Sequence, residues 1–313
     1  MPDQNEPTAA VICGGVGAAR LLRGLTRLVP GDRLTAIVNV GDDLELHGLH
    51  ISPDLDTITY TLADAVSPER GWGLDGETWQ AMEMVGRYGG VDWFNLGDRD
   101  LGTHLYRTHL LSTGATLAEA TAKVIAGWDL DLTVLPVTND RLRTMVTTTT
   151  EGEIGFQEYF VRLQHGVPVS SVRFAGAETA APAPGVLDAI ASADHLIVAP
   201  SNPVVSIDPV LAVPGVRAAL AARRDTVVGV SPIIGGKALK GPADRLLVEL
   251  GREASAVAVA EWYRDVVGVL VIDEVDAELA PAIEALGVRC VVAPTIMSDL
   301  DTTVALAEVV LDA

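Results

Sequence analysis

The sequence predicts a doubly wound α/β fold with a mainly parallel, Rossmann-like sheet at its centre. Short apolar runs rich in β-branched residues alternate with helical patterns along the whole chain. The chain has 313 residues and is 49% hydrophobic, which is enough for a large core. A glycine turn at residues 14–17 follows the first apolar run and opens a helical pattern, an order typical of nucleotide-binding folds. We therefore expect a single α/β domain over residues 1–313.

The predicted strands are short, apolar and bounded by turn residues, as buried parallel strands are. They are Thr8–Cys13, Leu34–Val40, Leu132–Leu135, Leu196–Ala199, Thr226–Val230, Val267–Ile272 and Val288–Val292. The helical patterns between them have apolar residues three and four apart, and several follow a capping residue. They are Ala18–Leu28, Thr57–Ala65, Glu77–Tyr88, Leu117–Gly127, Val186–Ala193, Ala243–Leu250, Ser255–Arg264, Ala277–Leu286 and Leu300–Leu311.

Two stretches break the alternation, and we interpret both as insertions. Residues from about 57 to 127 are rich in helical patterns. Residues from about 143 to 175 contain a hairpin signal, in which Met145–Thr150 and Phe156–Val161 flank the turn Glu151–Glu153. Ligands of doubly wound sheets bind beyond the carboxyl ends of the strands. We therefore expect both insertions to lie over that edge.

The chain is strongly acidic, with a formal net charge of -20. Such a surface repels nucleic acid and anionic membranes, so we expect neither as a partner. An anionic substrate then needs a site that is locally basic or bridged by a metal ion. The chain has two cysteines, a polar N-terminal segment and no apolar run of the roughly 18 residues that a membrane helix needs. These features predict a cytoplasmic protein.

The glycine turn is the first candidate for a ligand site. Gly14, Gly15 and Gly17 lack a Cβ and let backbone amides approach a phosphate at the start of the next helix. The spacing is neither that of a Walker loop nor a complete dinucleotide-binding fingerprint. A tight turn without a ligand is the alternative.

Four carboxylates follow the second strand within fifteen positions: Asp42, Asp43, Asp54 and Asp56. Asp54 and Asp56 share a side only where the chain is extended, because a helix turns residues two apart away from each other. Carboxylate oxygens suit Mg²⁺, which bridges proteins to substrate phosphates. The alternatives are turn formation and capping of the next helix by Ser52 or Asp56.

A charged motif lies further along the chain, at residues 95–104. It places Asp98 and Asp100 on either side of Arg99. We expect the two acids to orient Arg99 so that its planar guanidinium meets a phosphate; the alternative is an ion pair within the motif. His104 is either a general base or a structural histidine.

Two loops after later strands carry groups that suit a nucleotide. Ser201 and Asn202 stand between prolines and present hydroxyl and amide groups, with a structural turn as the alternative. Residues 231–242 hold Lys237 and Lys240, two of the three lysines in the chain, behind a pair of glycines. This concentration indicates an anion site, and a basic surface loop is the alternative.

Taken together, these segments resemble the 2-phospholactate transferase family of coenzyme F420 biosynthesis. The resemblance covers almost the full chain, with the motifs in the family's order. The most specific are Ser52–Thr57, Leu96–Asp100 and Pro200–Pro203. The glycine turn departs slightly, because Ala18 stands where relatives often have glycine or another small residue.

The resemblance implies a Mg²⁺-dependent transferase. It would pass a phosphoenolpyruvyl or 2-phospholactyl group from a guanosine-diphosphate-activated donor to the deazaflavin Fo and release GMP. The arginine-rich, lysine-poor composition suits a GC-rich actinobacterial source and favours the phosphoenolpyruvyl donor. A homodimer is also implied by the family rather than demanded by any residue.

The resemblance also implies roles for individual residues. Asp42, Asp43 and Asp54 form the pool from which Mg²⁺ ligands come. Asp56 contacts the Fo ribityl hydroxyl and is the candidate for its base, with Asn95 nearby. The groups that contact the nucleotide or its phosphates lie on loops after strands or on the helical insertion: Gly14, Gly15, Gly17, Asp54, Arg99, Ser201, Asn202 and Lys237.

Two other functions are compatible with the same fold. A nucleotide-sugar-binding regulatory protein would keep the glycine turn without transferase activity, but it does not explain the segments Ser52–Thr57 and Leu96–Thr103. A nicotinamide oxidoreductase is disfavoured by the incomplete fingerprint and by two acids, Asp42 and Asp43, after the second strand.

Overall fold

The structure is a computed structural model that describes residues 6–313, so most of the polar N-terminal segment lies outside the described residues. The strands within that range are β1 Ala9–Cys13, β2 Leu34–Val38, β3 Leu44–Leu46, β4 Leu49–Ile51, β5 Thr133–Pro136, β6 Arg143–Thr148, β7 Gly152–Gly155, β8 Val169–Ala175, β9 His195–Val198, β10 Val227–Val230, β11 Ile233–Ile234, β12 Lys237–Ala238, β13 Val269–Ile272 and β14 Arg289–Val292.

The helices of the described range flank and connect these strands. They are α1 Gly15–Leu25, α2 Pro53–Leu62, α3 Gln80–Arg87, α4 Asp100–Ser112, α5 Leu117–Ala126, α6 Val186–Ser192, α7 Asp208–Leu211, α8 Val216–Ala221, α9 Ala243–Glu249, α10 Ala256–Tyr263, α11 Ala280–Ala285 and α12 Leu300–Asp312.

Within residues 6–313 the central sheet has seven parallel strands in the order β14-β13-β10-β9-β1-β2-β5. All seven predicted strands are found in it, and the predicted doubly wound α/β fold is confirmed. From β1 the chain first proceeds to β2 and β5 and then returns to the other side of β1 at β9. The strand order therefore reverses between β1 and β9, which is where ligands bind in folds of this kind.

Burial explains why the strands were readable from sequence. β1, β10 and β13 are buried along their whole length, as strands covered on both faces by helices are. Strands of this kind appear in the sequence as uninterrupted apolar runs rather than as alternating patterns. The large apolar core of the described chain surrounds them.

Four helices, α2 to α5, lie between β2 and β5. Between β5 and β9 lies a separate antiparallel sheet with the order β7-β6-β8. These are the two stretches that the sequence analysis interprets as insertions.

One predicted strand is wrong. Phe156–Val161 does not form a strand; it runs into a short π-helical turn, Glu158–Arg162, and β6 pairs instead with β7 and β8. Phe156 and Tyr159 are both buried, and the rings of Phe156 and Phe160 stack 5.6 Å apart. Aromatic residues three and four apart meet on one side of a helical turn, whereas in a strand Phe156 and Tyr159, three residues apart, would point to opposite faces.

Candidate functional site

The carboxyl ends of the parallel strands meet at one edge of the sheet, and the glycine turn lies there at the switch point. Gly15 has φ +72°, a left-handed conformation that favours glycine. A Cβ on Gly14 would lie 2.6 Å from Oδ2 of Asp54, and one on Gly17 would overlap the carbonyl oxygen of Pro200. The turn therefore needs glycine because α2 and the loop after β9 both pack directly against it.

Asn39, directly after β2, connects three parts of this edge. Its Nδ2 donates to Oδ2 of Asp54 at 2.9 Å and to the carbonyl of Val205 at 3.3 Å. Its Oδ1 accepts from the Gly41 amide at 2.7 Å. Asn39 is fully buried, so these bonds fix the start of α2 against the loops after β2 and β9.

Three carboxylates surround this point, and we call Asp42, Asp43 and Asp54 the edge cluster. Oδ2 of Asp43 accepts from Oγ of Ser52 at 2.8 Å and lies 3.0 Å from Nε2 of His50. Oδ1 of Asp42 and Oδ1 of Asp43 are buried and have no hydrogen-bond partner. The edge cluster thus presents acceptor oxygens that no described protein donor satisfies.

The electrostatics of the edge cluster oppose ionisation. Burial, reinforced by the charge of Asp54, raises the pKa of Asp42 well above its usual range. Burial also raises the pKa of Asp43, although His50 and Ser52 counteract it. The pKa of Asp54 is raised to about 6 by burial and by Asp43, against the hydrogen bond from Asn39. Unpartnered carboxylate oxygens of this kind fit a divalent cation, whose charge would remove the mutual repulsion.

Asp54 and Asp56 do not share a side as expected for an extended chain. Both lie in the first turn of α2, which begins at Pro53, and helical geometry turns them apart. Asp54 faces the glycine turn, where the Gly15 backbone also bonds its carboxylate. Capping by Ser52 is also wrong, because its hydroxyl donates to Asp43 and makes no cap bond.

Asp56 belongs to a second group, which we call the bridged cluster: Asp56, Tyr60, Asp100, His104 and Arg107. Both carboxylate oxygens of Asp56 accept from Arg107, with Nη1 donating to Oδ2 at 3.1 Å and Nη2 donating to Oδ1. The ring of His104 has Nδ1 3.6 Å from Oδ2 of Asp56 and Nε2 3.3 Å from Oδ2 of Asp100. The Tyr60 hydroxyl donates to Oδ1 of Asp100 at 2.5 Å.

The bridged cluster favours the ionised form of Asp100. Burial alone would raise the pKa of Asp100, but the His104 ring, the Tyr60 hydroxyl and the charge of Arg107 hold it below its ordinary value. Burial would lower the pKa of Arg107, yet Asp56 and Asp43 raise it. The Arg107 and His104 side chains are only 1% exposed, so solvent screens these contacts little.

The motif at 95–104 has a different local role from the one expected. Asp98 does not orient Arg99; its carboxylate accepts from the amides of Gln80 and Ala81 at the start of α3. Glu77 in turn accepts from the amides of Arg99 and Asp100 at the start of α4, each at 2.8 Å. The acid before each helix therefore caps the other helix, because the first amides of a helix lack acceptors within it.

Gly97 makes this crossed capping possible. A Cβ on Gly97 would overlap the Glu77 carboxylate. Arg99 is exposed and donates to the carbonyl of Asp75, and it lines a cavity of about 330 Å³ together with Lys123 and Trp128. Asp98 and Asp100 make their contacts elsewhere, so neither the predicted orientation of Arg99 nor the alternative ion pair is present.

The remaining predicted site residues lie on loops of the same edge or of the helical segment. Asn95 is exposed before α4, and Lys237 is exposed on β12. Ser201 is buried with a hydroxyl that has no hydrogen-bond partner. Oδ1 of Asn202 accepts from the Val204 amide at 3.0 Å, which also gives Asn202 a capping role.

The family model for 2-phospho-L-lactate transferase CofD matches residues 9–295. The chain belongs to this family. Members of the 2-phospho-L-lactate transferase family are transferases, and the resemblance drawn from the motifs is confirmed.

Curated relatives agree with this assignment. A protein of Streptomyces griseus named phosphoenolpyruvate transferase is 46% identical over 309 residues, covering 96% of both chains. A protein of the same name from Mycobacterium marinum is 46% identical over 312 residues, covering 94% of both chains. The chain therefore resembles actinobacterial members of the 2-phospho-L-lactate transferase family over nearly its whole length.

A solved structure supports the fold. Protein BH3568 from Bacillus halodurans matches with a TM-score of 0.66 at 19% identity, covering 98% of this chain and 100% of that one. At that identity the likeness concerns architecture alone. Among the described residues of this family member, none of the helices is long and apolar enough to cross a bilayer.

Sequence reasoning did not assign Tyr60 and Arg107 to the site and left His104 as either a general base or a structural histidine. The signal was helical spacing: Asp100, His104 and Arg107 are four and three residues apart, which places them on one face of α4. That helix was not predicted, so the shared face went unrecognised.

Proposed function

We propose that this member of the family transfers a phosphoenolpyruvyl group to the ribityl hydroxyl of Fo in coenzyme F420 biosynthesis. The donor is the guanosine-diphosphate-activated form of the acid, and GMP is the leaving group. Family membership and relatives named phosphoenolpyruvate transferase support the transfer reaction. A 2-phospholactyl donor is the alternative within the same family.

The observation that carries the chemistry is the edge cluster. Two buried oxygens, Oδ1 of Asp42 and Oδ1 of Asp43, have no hydrogen-bond partner among residues 6–313, and they lie at the edge where ligands of doubly wound sheets bind. We propose that Asp42, Asp43 and Asp54 hold Mg²⁺. When bound, Mg²⁺ supplies positive charge that offsets the charge of the donor's diphosphate.

Other residues bind and orient the two substrates. In this proposal the glycine turn, Ser201 and Asn202 hold the guanosine diphosphate portion, whose anionic groups suit the positive end of α1. Arg99 and Lys237 neutralise phosphate oxygens.

The acceptor is held so that its hydroxyl oxygen is in line with the leaving group. Asp56 accepts a hydrogen bond from that hydroxyl, and Asn95 contacts the same substrate. The new bond joins the hydroxyl oxygen to phosphorus, the bond from phosphorus to the bridging oxygen of GMP breaks, and the hydroxyl proton passes to the carboxylate of Asp56. Such a reaction depends mainly on placement and charge neutralisation rather than on covalent help from the protein.

The decisive experiment is mass spectrometry of the product formed by purified protein, Fo, Mg²⁺ and each guanylated donor in turn. We expect a phosphoenolpyruvyl adduct of Fo, and its loss when EDTA replaces Mg²⁺. If only a phospholactyl adduct forms, the donor carries 2-phospholactate instead of phosphoenolpyruvate. Absence of both adducts would contradict the transferase proposal and favour a binding protein of the same fold. Unchanged turnover in EDTA would contradict the Mg²⁺ site.

A further inference from the structure

The bridged cluster contains two residues, Arg107 and His104, whose contacts all converge on carboxylates. Arg107 is among the largest fully buried side chains of the described chain, and its guanidinium takes both oxygens of Asp56. Two parallel N–H···O bonds fix the plane of a carboxylate as well as its position. Asp56 thus has a single orientation, set from α4 although the residue itself lies on α2.

A metal ion is the competing occupant of this cluster. One ligand atom each of Asp56, Asp100 and His104 lies within 4.8 Å of the others, which is the spacing of a metal site. The ring of His104, however, faces Asp56 with Nδ1 and Asp100 with Nε2. No single ring nitrogen faces both carboxylates, and a cation between them would lie beside the positively charged guanidinium of Arg107, which binds Asp56. The geometry is that of an imidazole bridging two acids rather than of three ligands around a cation.

Asp100 is itself firmly held, which makes the bridge rigid. Its backbone amide donates to Glu77 at 2.8 Å, and its side chain accepts from Tyr60, which lies on the same helix as Asp56. The ring of Tyr60 also meets that of Trp128 edge-on, with 5.9 Å between centroids. The buried His104 ring therefore lies between the two carboxylates, one on α2 and one on α4, and fills the space beside Asp56.

We propose that Arg107 and His104 are positioning residues that hold Asp56 in the orientation needed by the attacking hydroxyl. This inference rests on the proposed function, in which Asp56 contacts that hydroxyl. Neither residue touches substrate; both act through Asp56. A displacement of about 1 Å in a positioned group can cost on the order of 100-fold in rate, so these contacts govern turnover more than binding of the donor.

The test compares Arg107→Lys and His104→Gln with wild type, using steady-state kinetics, equilibrium dialysis of Fo, and dialysis of GDP as a probe of the donor site. Lysine keeps the charge of Arg107 but not its paired donors. We expect kcat to fall about 10- to 100-fold for Arg107→Lys and about tenfold for His104→Gln, with the GDP dissociation constant within about twofold of wild type.

Arg223→Lys is the matched control. Arg223 is also a structural arginine, donating to the carbonyls of Ile190, Ala191 and Ala193 far from the clusters. We expect this variant to keep wild-type kcat. Circular dichroism at the assay temperature must show each variant folded, and His104→Gln supplies the test if Arg107→Lys does not fold.

The outcomes separate the two proposals. If the wild type forms the adduct and both bridged-cluster variants keep a near-wild-type kcat, the positioning role is overturned. The transferase proposal then still stands. Equal losses of Fo and GDP binding in those variants also overturn it, because they indicate general disruption. A wild-type protein that binds Fo but forms no adduct refutes the transferase proposal, and the positioning role falls with it because no hydroxyl attacks. Absence of Fo binding to wild type overturns both.

Discussion

The edge cluster and the bridged cluster are both groups of buried aspartates, yet they solve the problem of charge in opposite ways. Arg107 and His104 face the carboxylates of the bridged cluster, and the pKa of Asp100 is lowered. In the edge cluster the pKa values of all three aspartates are raised, and two oxygens lack partners. One cluster contains its own cation, Arg107, whereas the other is suited to accept a cation from solution.

The origin of the difference is one turn of helix. Asp54 and Asp56 are two residues apart in the first turn of α2, so their side chains point about 200° apart around the helix axis. Asp54 therefore joins the sheet edge, and Asp56 joins α4. Because α2 begins before Asp54, two aspartates of one sequence motif belong to different clusters.

The largest expected effect is on turnover after a change in the edge cluster. Asp42→Asn removes a proposed Mg²⁺ ligand, and we expect kcat to fall by about 10³-fold or more, since metal-assisted charge neutralisation is worth several kcal/mol. Stability in EDTA should be unchanged or higher, because a buried carboxylate with a raised pKa no longer has to ionise. Steady-state assays and urea unfolding measure both. The exposed Asp301→Asn is the control, and a strongly destabilised Asp42→Asn would contradict the comparison.

In the bridged cluster we expect removal of an aspartate to lower the stability of the protein. Asp56→Asn leaves the buried Arg107 charge without its partner, and we expect a loss of about 3 kcal/mol or more in the free energy of unfolding. The double variant Asp56→Asn/Arg107→Met should recover part of that loss, because both charges are then gone. Urea unfolding of the two single variants and the double variant decides this. Additive losses would mean that the pair is not coupled. The activity of Asp56→Asn should be measured at a temperature at which the variant is still folded.

Mg²⁺ should stabilise the folded protein only when the edge cluster is intact. At 100 times its dissociation constant, Mg²⁺ should raise the unfolding free energy of the wild type by about 2.7 kcal/mol if it binds the folded state alone. Asp42→Asn should abolish the effect, and Asp301→Asn should retain it. Thermal unfolding in Mg²⁺ and in EDTA provides the measurement. Equal stabilisation of all three proteins would place the ion outside the edge cluster.

The smallest expected effect concerns Asp208, a half-buried carboxylate outside both clusters. Burial raises its pKa to about 6, although Trp262 donates to it at 2.9 Å and Arg217 lies 3.5 Å away. The folded state then binds a proton more tightly than the unfolded state, so stability falls as pH rises from about 4 to 6. Asp208→Asn should reduce this fall by about 1–3 kcal/mol, measured by urea unfolding across that range in Mg²⁺. An unchanged pH slope would contradict the raised pKa.

The sheet and the site differed in how far sequence could predict them. All seven central strands were predictable because burial on both faces leaves an unbroken apolar run, as in β1 and β13. The edge cluster was also found, since its acids directly follow β2 or begin the next helix. Its use as a metal site stays a prediction.

The bridged cluster was not predictable in the same way. Gly97, Gly102 and the surrounding charges obscured the helical pattern of α4, and the face shared by its polar residues depends on recognising that helix. The capping roles of Asp98 and Glu77 could not be predicted from local sequence either. Each residue caps the other's neighbouring helix: Asp98 caps α3, and Glu77 caps α4. The strand predicted at Phe156–Val161 was wrong because aromatic residues favour strands, whereas these side chains pack as a helical turn.

The crossed capping of α3 and α4 has a consequence for cooperativity. Because Glu77 holds the start of α4 and Asp98 holds the start of α3, neither helix can fray from its first turn without withdrawing acceptors from the other. The pair should therefore open as a single foldon rather than end by end. Since α4 carries Arg107, such an opening also releases Asp56, so the lifetime of the closed foldon sets an upper limit on how long the acceptor site stays assembled.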